Sequence, residues 1–94
     1  MIYIFVDDIR KAPTGKYITA RDYWGAVDVI NFFANDGIVL DLDHDLGAGK
    51  DGYDICKYVV ENEIPLVGFH IHSMNPVGVA NMRQLLTHYG YKEI

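Results

Sequence analysis

Four short apolar runs recur along the chain and predict four β-strands. The first, "MIYIFV", has no polar break and is rich in β-branched and aromatic residues, which is typical of a strand covered on both faces. "KYITA" is a weaker example of the same pattern, and "YKEI" at the end leaves room for only a stub of a fifth strand. The predicted strands are residues 1–6, 16–20, 37–43 and 66–73.

Three segments between these runs show helical spacing of apolar residues. In "RDYWGAVDVINFFAND" the apolar positions recur every three or four residues, and Gly37 is expected to end the helix. "DGYDICKYVVENE" is a second helix that stops before Pro65, and the third opens with Asn75 as N-cap and Pro76 at its first position. The predicted helices are residues 21–36, 51–63 and 75–90.

Alternating strands and helices predict an α/β fold with a parallel sheet, in one domain over residues 1–94. The first connection, residues 9–15, is too short for a helix that runs the length of a strand. Seven extended residues reach roughly 23 Å, which returns the chain to the start of the second strand. We therefore predict the strand order 2-1-3-4, with no helix between the first two strands.

Polar clusters follow three of the predicted strands. They are Asp7 and Asp8, then Asp43 to Asp45, then His72 to Asn75. Open parallel sheets bind their ligands at the carboxyl ends of the strands, so these clusters are expected to meet at one edge.

Composition narrows the classes of function. A net charge of −5 argues against broad, sequence-independent binding to DNA or RNA, which relies on clustered lysine and arginine. The single cysteine, Cys56, lies among apolar helix positions and is expected to be a buried free thiol, which fits a reducing cytoplasm. No signal-like start and no apolar run of roughly 20 residues are present, so we expect a cytoplasmic protein without a membrane anchor.

The ordered motifs resemble the receiver domains of two-component signalling. An acidic pair follows strand one, an aspartate ends strand three, "DG" opens the next helix, and Ser73 ends strand four. The resemblance implies a three-layer, flavodoxin-like and receiver-like sheet, here without the first receiver helix and with a short or absent fifth strand. A receiver also carries a lysine after strand five, whereas Lys92 lies in the final stub.

The set "DDIR", "LDHDLG", "GYD", "HSMNPVG" and "NM" more closely resembles the cyclic-phosphate processing receiver domains. That resemblance implies a cyclic phosphate as ligand, on a nucleotide or at an RNA end, and a connection to RNA repair.

The aspartates predict a divalent metal site. Carboxylates on adjacent strand ends supply the oxygen ligands that Mg²⁺ or Mn²⁺ requires, so Asp7, Asp8 and Asp43 are the candidate ligands. Asp45 is a weaker candidate, because its loop position could direct it to solvent. The alternative is that each aspartate caps the loop or helix that follows it.

Two histidines at the same edge are candidates for proton transfer. His44 stands between two aspartates, and His72 ends the neighbouring strand, so with Asp43 they form the predicted catalytic group. A lone surface histidine in a loop is the alternative for His44. His70 lies on the same strand face as His72 and is expected to be structural.

Four further residues are candidate phosphate ligands. Arg10 and Arg21 could each bind two phosphate oxygens, and either could instead be an exposed solubilising charge. Ser73 and Asn75 fit the cap of the last helix, whose N-terminus also offers N–H donors to a phosphate.

Two functions are consistent with these residues. The favoured hypothesis is a metal-assisted phosphoesterase that opens a cyclic phosphate, because a phospho-aspartyl switch needs neither His44 nor His72. The alternative is a divergent receiver that responds to phosphorylation, or senses a phosphorylated ligand, and acts through a protein partner.

Overall fold

The computed structural model describes all residues from Met1 to Ile94 and contains four strands and three helices. The strands are β1 (Ile2–Val6), β2 (Tyr17–Ala20), β3 (Ile38–Leu42) and β4 (Leu66–Ile71). The helices are α1 (Tyr23–Phe32), α2 (Gly52–Glu61) and α3 (Pro76–His88).

All four strands are parallel, and their order in the sheet is β2-β1-β3-β4. This confirms the predicted order. The connection from β1 to β2 contains no helix, as its length requires, and it crosses the sheet as an extended loop with a turn near residues 13–16. The sheet therefore presents the ends of β1, β3 and β4 side by side.

The helices share a single hydrophobic core on one face of the sheet. Ile4, Leu40 and Phe69 lie at the same level of β1, β3 and β4, and they pack in one cluster with residues from all three helices. Phe5 and Val39 alternate with these residues and are buried outside that cluster.

The second face of the sheet consequently carries no helix, which refines the expected three-layer arrangement. In place of the first receiver helix, the loop of residues 9–15 connects β1 to β2, and all three helices pack on the other face. We call this face, formed by the outward side chains of Tyr3, Phe5, Tyr17, Thr19 and Asp41, the open face.

Helix ends follow local capping chemistry. Asp22 accepts the N–H of Gly25 at the start of α1, which ends at Phe32, before the predicted Gly37. Asp51 and Asp54 form a capping box at the start of α2. Asn75 caps α3 with a proline at its first position, as predicted.

The fifth strand is reduced to a single bridge between Phe69 and Glu93. Glu93 also accepts two hydrogen bonds from Arg83 of α3, which holds the C-terminal stub beside β4. Cys56 is buried, and that burial raises the pKa of its thiol to about 12. None of the three helices combines the length and apolar character needed to cross a bilayer.

Candidate functional site

Asp7, Asp43 and His72 come together at the carboxyl edge of the sheet. The strand pairing continues past the strands, because Asp43 N–H donates to Val6 O and His72 N–H donates to Leu42 O, each at 2.9 Å. One ligand atom from each of the three side chains lies within 4.8 Å of the other two. Two carboxylates and an imidazole at this spacing could hold a metal ion.

His72 bridges two strands through its ring. Its Nδ1 lies 2.5 Å from Asp41 Oδ1, and its Nε2 lies 3.0 Å from Asp7 Oδ2. The ring also stacks on Phe5 of the open face, with 4.4 Å between centroids and 7° between planes. The ring therefore has a fixed position and a carboxylate at each nitrogen.

This environment favours the protonated imidazole. Burial disfavours the charged form, but the hydrogen bonds and charges of Asp41 and Asp7 outweigh it and raise the pKa of His72. Burial likewise acts to raise the pKa of Asp7. The N–H groups of Arg10 and Ile9, together with His72, reverse that effect and hold the pKa of Asp7 below its ordinary value.

Asp41 is a site residue that the sequence reasoning missed. It is only 6% exposed, and its carboxylate holds His72 from within β3. The signal was an acidic residue inside the apolar run "VLDL", two positions before Asp43 and so on the same strand face.

The other predicted metal ligands lie apart from this group. The carboxylate of Asp8 is directed toward Gly47, in the loop after β3. Asp45 is exposed, and its Oδ1 lies 2.9 Å from His44 Nδ1. That hydrogen bond is the main reason why the pKa of Asp45 lies below its ordinary value.

His44 packs between the starts of α2 and α3. Besides Asp45, its ring approaches Asp51 Oδ2, the N-cap of α2, at 3.4 Å from Nε2. Its ring lies against Gly78 in the first turn of α3, where a Cβ atom would overlap it. His44 thus connects a loop to two helices. His70, which was expected to be structural, is exposed on β4.

Both predicted arginines lie at the edge and donate to backbone carbonyls. Arg10 Nη1 donates to His72 O at 3.3 Å, and Arg21 Nη1 donates to Asp7 O at 3.1 Å. Arg21 also donates to Arg10 O. Each guanidinium is thereby anchored beside the site through one nitrogen and keeps further N–H groups for a ligand.

Ser73 and Asn75 form the start of α3. Asn75 Oδ1 accepts the N–H of Gly78 at 2.9 Å, and Ser73 Oγ accepts the N–H of Asn75 at 3.1 Å. The amide nitrogen of Asn75 faces His44 and Asp45 at 3.4 and 3.5 Å. The capping interpretation is therefore correct for Asn75, while Ser73 holds the N–H of that cap residue, and the helix N-terminus lies at the same edge.

The comparison with protein families agrees with this geometry. Residues 2–88 match the model of the family described as the cyclic-phosphate processing receiver domain. Searches of curated proteins and of solved structures gave no match. The match spans the four strands, the three helices and every residue of the candidate site. The chain belongs to the cyclic-phosphate processing receiver domain family.

Proposed function

We propose that this domain is a metal-assisted phosphoesterase that opens a cyclic phosphate, such as the 2′,3′-cyclic end of an RNA or a related small cyclic phosphate. The observation that carries the proposal is the group of Asp7, Asp43 and His72, with one ligand atom of each within 4.8 Å of the others. Arg10 and Arg21, anchored to the backbone beside this group, supply positive charge for the same ligand.

Asp7 and Asp43 are the residues that would hold Mg²⁺ or Mn²⁺. Their carboxylate oxygens suit either ion, and His72 stays outside the ligand set in this proposal, because its protonated ring has no lone pair for a metal. When bound, the ion supplies Lewis-acid neutralisation of charge on the phosphate oxygens. Asp8 and Asp45 stay candidates for ligands that act through water.

His72 is suited to donate the proton that the reaction needs. Opening the ring forms a bond between water and phosphorus and breaks one bond from phosphorus to a ribose oxygen. Water loses one proton, and the departing oxygen gains one. Because Asp41 and Asp7 favour the imidazolium form of His72, this residue fits the donor better than the acceptor.

Charge on the nonbridging oxygens is stabilised by groups already at the edge. Arg10 and Arg21 each keep N–H donors free of backbone contacts, and a guanidinium can bind two phosphate oxygens at once. Ser73 and the cap residue Asn75 present the N-terminus of α3, whose partial positive charge attracts an anion.

His44 has two roles that an experiment can separate. As the second proton-transfer residue it would act on the substrate from beside Asp45. As a positioning residue it would hold the loop of Asp43 against α2 and α3 through Asp51 and Gly78. His44→Gln, which keeps hydrogen-bonding capacity without a titratable ring, should retain activity only in the positioning role.

One observation favours a second function, a phosphate-sensing or receiver-type module. Both ring nitrogens of His72 are held by carboxylates, so the histidine could serve to organise the edge without turnover. The decisive experiment incubates the protein with Mg²⁺ or Mn²⁺ and a panel of cyclic nucleotides and cyclic-ended RNAs. Ring opening supports the phosphoesterase, whereas a stable mass increase after acetyl phosphate treatment, with no ring opening, supports the receiver.

A further inference from the structure

Positive charge is concentrated in one segment of this acidic protein. Four of its eight lysine and arginine residues lie between positions 10 and 21, and no aspartate or glutamate occurs from residue 9 to residue 21. This segment is the loop that replaces the first receiver helix, together with β2. It therefore places the basic residues along the open face rather than over the helices.

The same segment borders a surface groove of about 410 Å³. Lys11, Thr14, Tyr17, Thr19 and Arg21 contribute to its lining. Arg21 also donates to Asp7 O, so the groove begins beside the candidate catalytic site. A ligand bound at that site therefore lies next to the groove at Arg21.

A row of aromatic rings runs along the same face to the site. The rings of Tyr3 and Tyr17 are 5.7 Å apart, Tyr17 and Phe5 are 6.0 Å apart, and Phe5 stacks on His72. Tyr3 and Tyr17 are partly exposed, and Lys16 Nζ lies 4.1 Å from the centroid of Tyr3. Basic groups beside partly exposed aromatic rings are the combination that binds single-stranded nucleic acid.

We infer that the open face, with its basic groove, binds the single strand that precedes the cyclic phosphate, so that the substrate is an oligonucleotide end. The chemistry assigned to that end rests on the proposed function, but strand binding can be measured without it. Tyr17 pairs with Tyr3, four residues before Asp7, which is roughly 13 Å at 3.3 Å per residue. That length accommodates about four stacked nucleotides at roughly 3.4 Å each.

The test uses fluorescence anisotropy with labelled RNA oligonucleotides of one to eight nucleotides that end in an unreactive 3′-phosphate. Affinity should increase with length up to about four or five nucleotides and then level off. Three cations, Lys11 and Arg21 of the groove and Lys16 beside Tyr3, would give a slope of about −2 for log K against log salt if each contacts a phosphate of a single strand. An affinity independent of length and of salt would overturn the inference.

Lys11→Ala/Lys16→Ala should lower the affinity for the pentanucleotide about tenfold and make the salt slope shallower by roughly 1.4, because two phosphate contacts are lost. Lys50→Ala/Lys57→Ala removes the same charge beside α1 and α2, away from the open face, and should bind like the wild type. Tyr17→Leu, which keeps apolar bulk without the ring, should weaken binding about tenfold. Equal losses in both lysine pairs would contradict a local site.

Turnover separates this inference from the proposed function. If cyclic-ended oligonucleotides are opened, Lys11→Ala/Lys16→Ala should raise their KM, with kcat and the hydrolysis of a cyclic mononucleotide unchanged. If no cyclic phosphate is opened but length-dependent binding is lost in this variant, the strand site stands and the proposed function fails. If a cyclic mononucleotide is opened but no strand binding is measured, the proposed function stands and the strand site fails.

Discussion

The imidazole of His72 lies flat on the ring of Phe5, with 4.4 Å between centroids and 7° between planes. This stacking joins the end of β4 to β1 across β3 and brings the His72 ring between Asp41 and Asp7. An apolar contact below the ring and a carboxylate at each nitrogen fix its orientation. The open face of the sheet is therefore part of the site.

Asp41→Asn should lower the pKa of His72. The substitution keeps the shape of the side chain but removes the charge that favours the imidazolium form. NMR titration of the histidine ring protons in metal-free protein measures the change directly. Asp28→Asn, at an exposed position of α1, is the matched control and should leave the His72 titration as in the wild type. An unchanged pKa in Asp41→Asn would remove Asp41 from the site.

The stability of the metal-free protein should depend on pH through His72. Because the folded state raises its pKa, the stabilisation is complete below the ordinary value of about 6.5 and is lost as pH rises through the folded value. Urea unfolding in EDTA, compared between the wild type and His72→Gln, should show a difference that shrinks with rising pH over this window. A difference that grows with pH would contradict the assignment.

The contribution of Asp7 to the stability of the fold should depend on pH in the opposite direction. Its pKa is depressed in the folded state, so its stabilisation is present above the ordinary value of about 3.9 and is lost as pH falls through the folded value. Asp7→Asn should therefore lose stability relative to the wild type at pH 6, and the gap should close below pH 3 or so. A gap that persists undiminished in acid would indicate a packing defect instead.

Gly52→Ala should destabilise the fold. A Cβ atom at position 52 would overlap the backbone carbonyl of Asp43, which cannot move aside like a flexible side chain. Overpacking of this kind costs about 1–3 kcal/mol in the free energy of unfolding. Gly15→Ala is the control, because nothing lies within 4 Å of its Cβ position, and it should change stability little. Equal stability of the two variants would show that the start of α2 does not pack closely against the backbone of Asp43.

Metal binding should require Asp43. Isothermal titration calorimetry with Mn²⁺ is expected to show weak binding, on the order of millimolar for a partly hydrated site without substrate. Asp43→Asn should abolish it, whereas Asp8→Asn should retain more of it, because Asp8 lies outside the group with Asp7 and His72. Binding that is unchanged in Asp43→Asn would contradict the proposed ligand set.

The order of the strands could be predicted from the sequence because it depends on the lengths of the segments that connect them. Only seven residues separate Asp8 from Lys16, and this length is too short for a helix between β1 and β2. The three helices were predictable from the spacing of their apolar residues and from caps such as Asn75. The end of α1 at Phe32 was not predictable in the same way. A turn in which Asp36 N–H donates to Phe33 O competes with a further helical turn, and the pattern up to Gly37 does not distinguish them.

The candidate site was partly predictable for a similar reason. Residues that follow parallel strands must meet at one edge, which brought Asp7, Asp43 and His72 into the same prediction. Which carboxylate each histidine contacts depends on side-chain direction. His72 turns back to Asp41 and Phe5, whereas His44 turns toward Asp51 and the first turn of α3. Those orientations come from packing against helices that are distant in sequence.

We propose that the edge of Asp7, Asp43 and His72 opens a cyclic phosphate. Its most direct test follows a 2′,3′-cyclic nucleotide by ³¹P NMR, with Mg²⁺ or Mn²⁺ and equal amounts of wild type, His72→Ala and His44→Ala. We expect the wild type to convert the cyclic nucleotide to a phosphomonoester, and the rate to fall about 10²- to 10⁴-fold in His72→Ala, the usual size of an acid–base contribution. No conversion of any cyclic phosphate with either ion, or equal rates in wild type and His72→Ala, would contradict it.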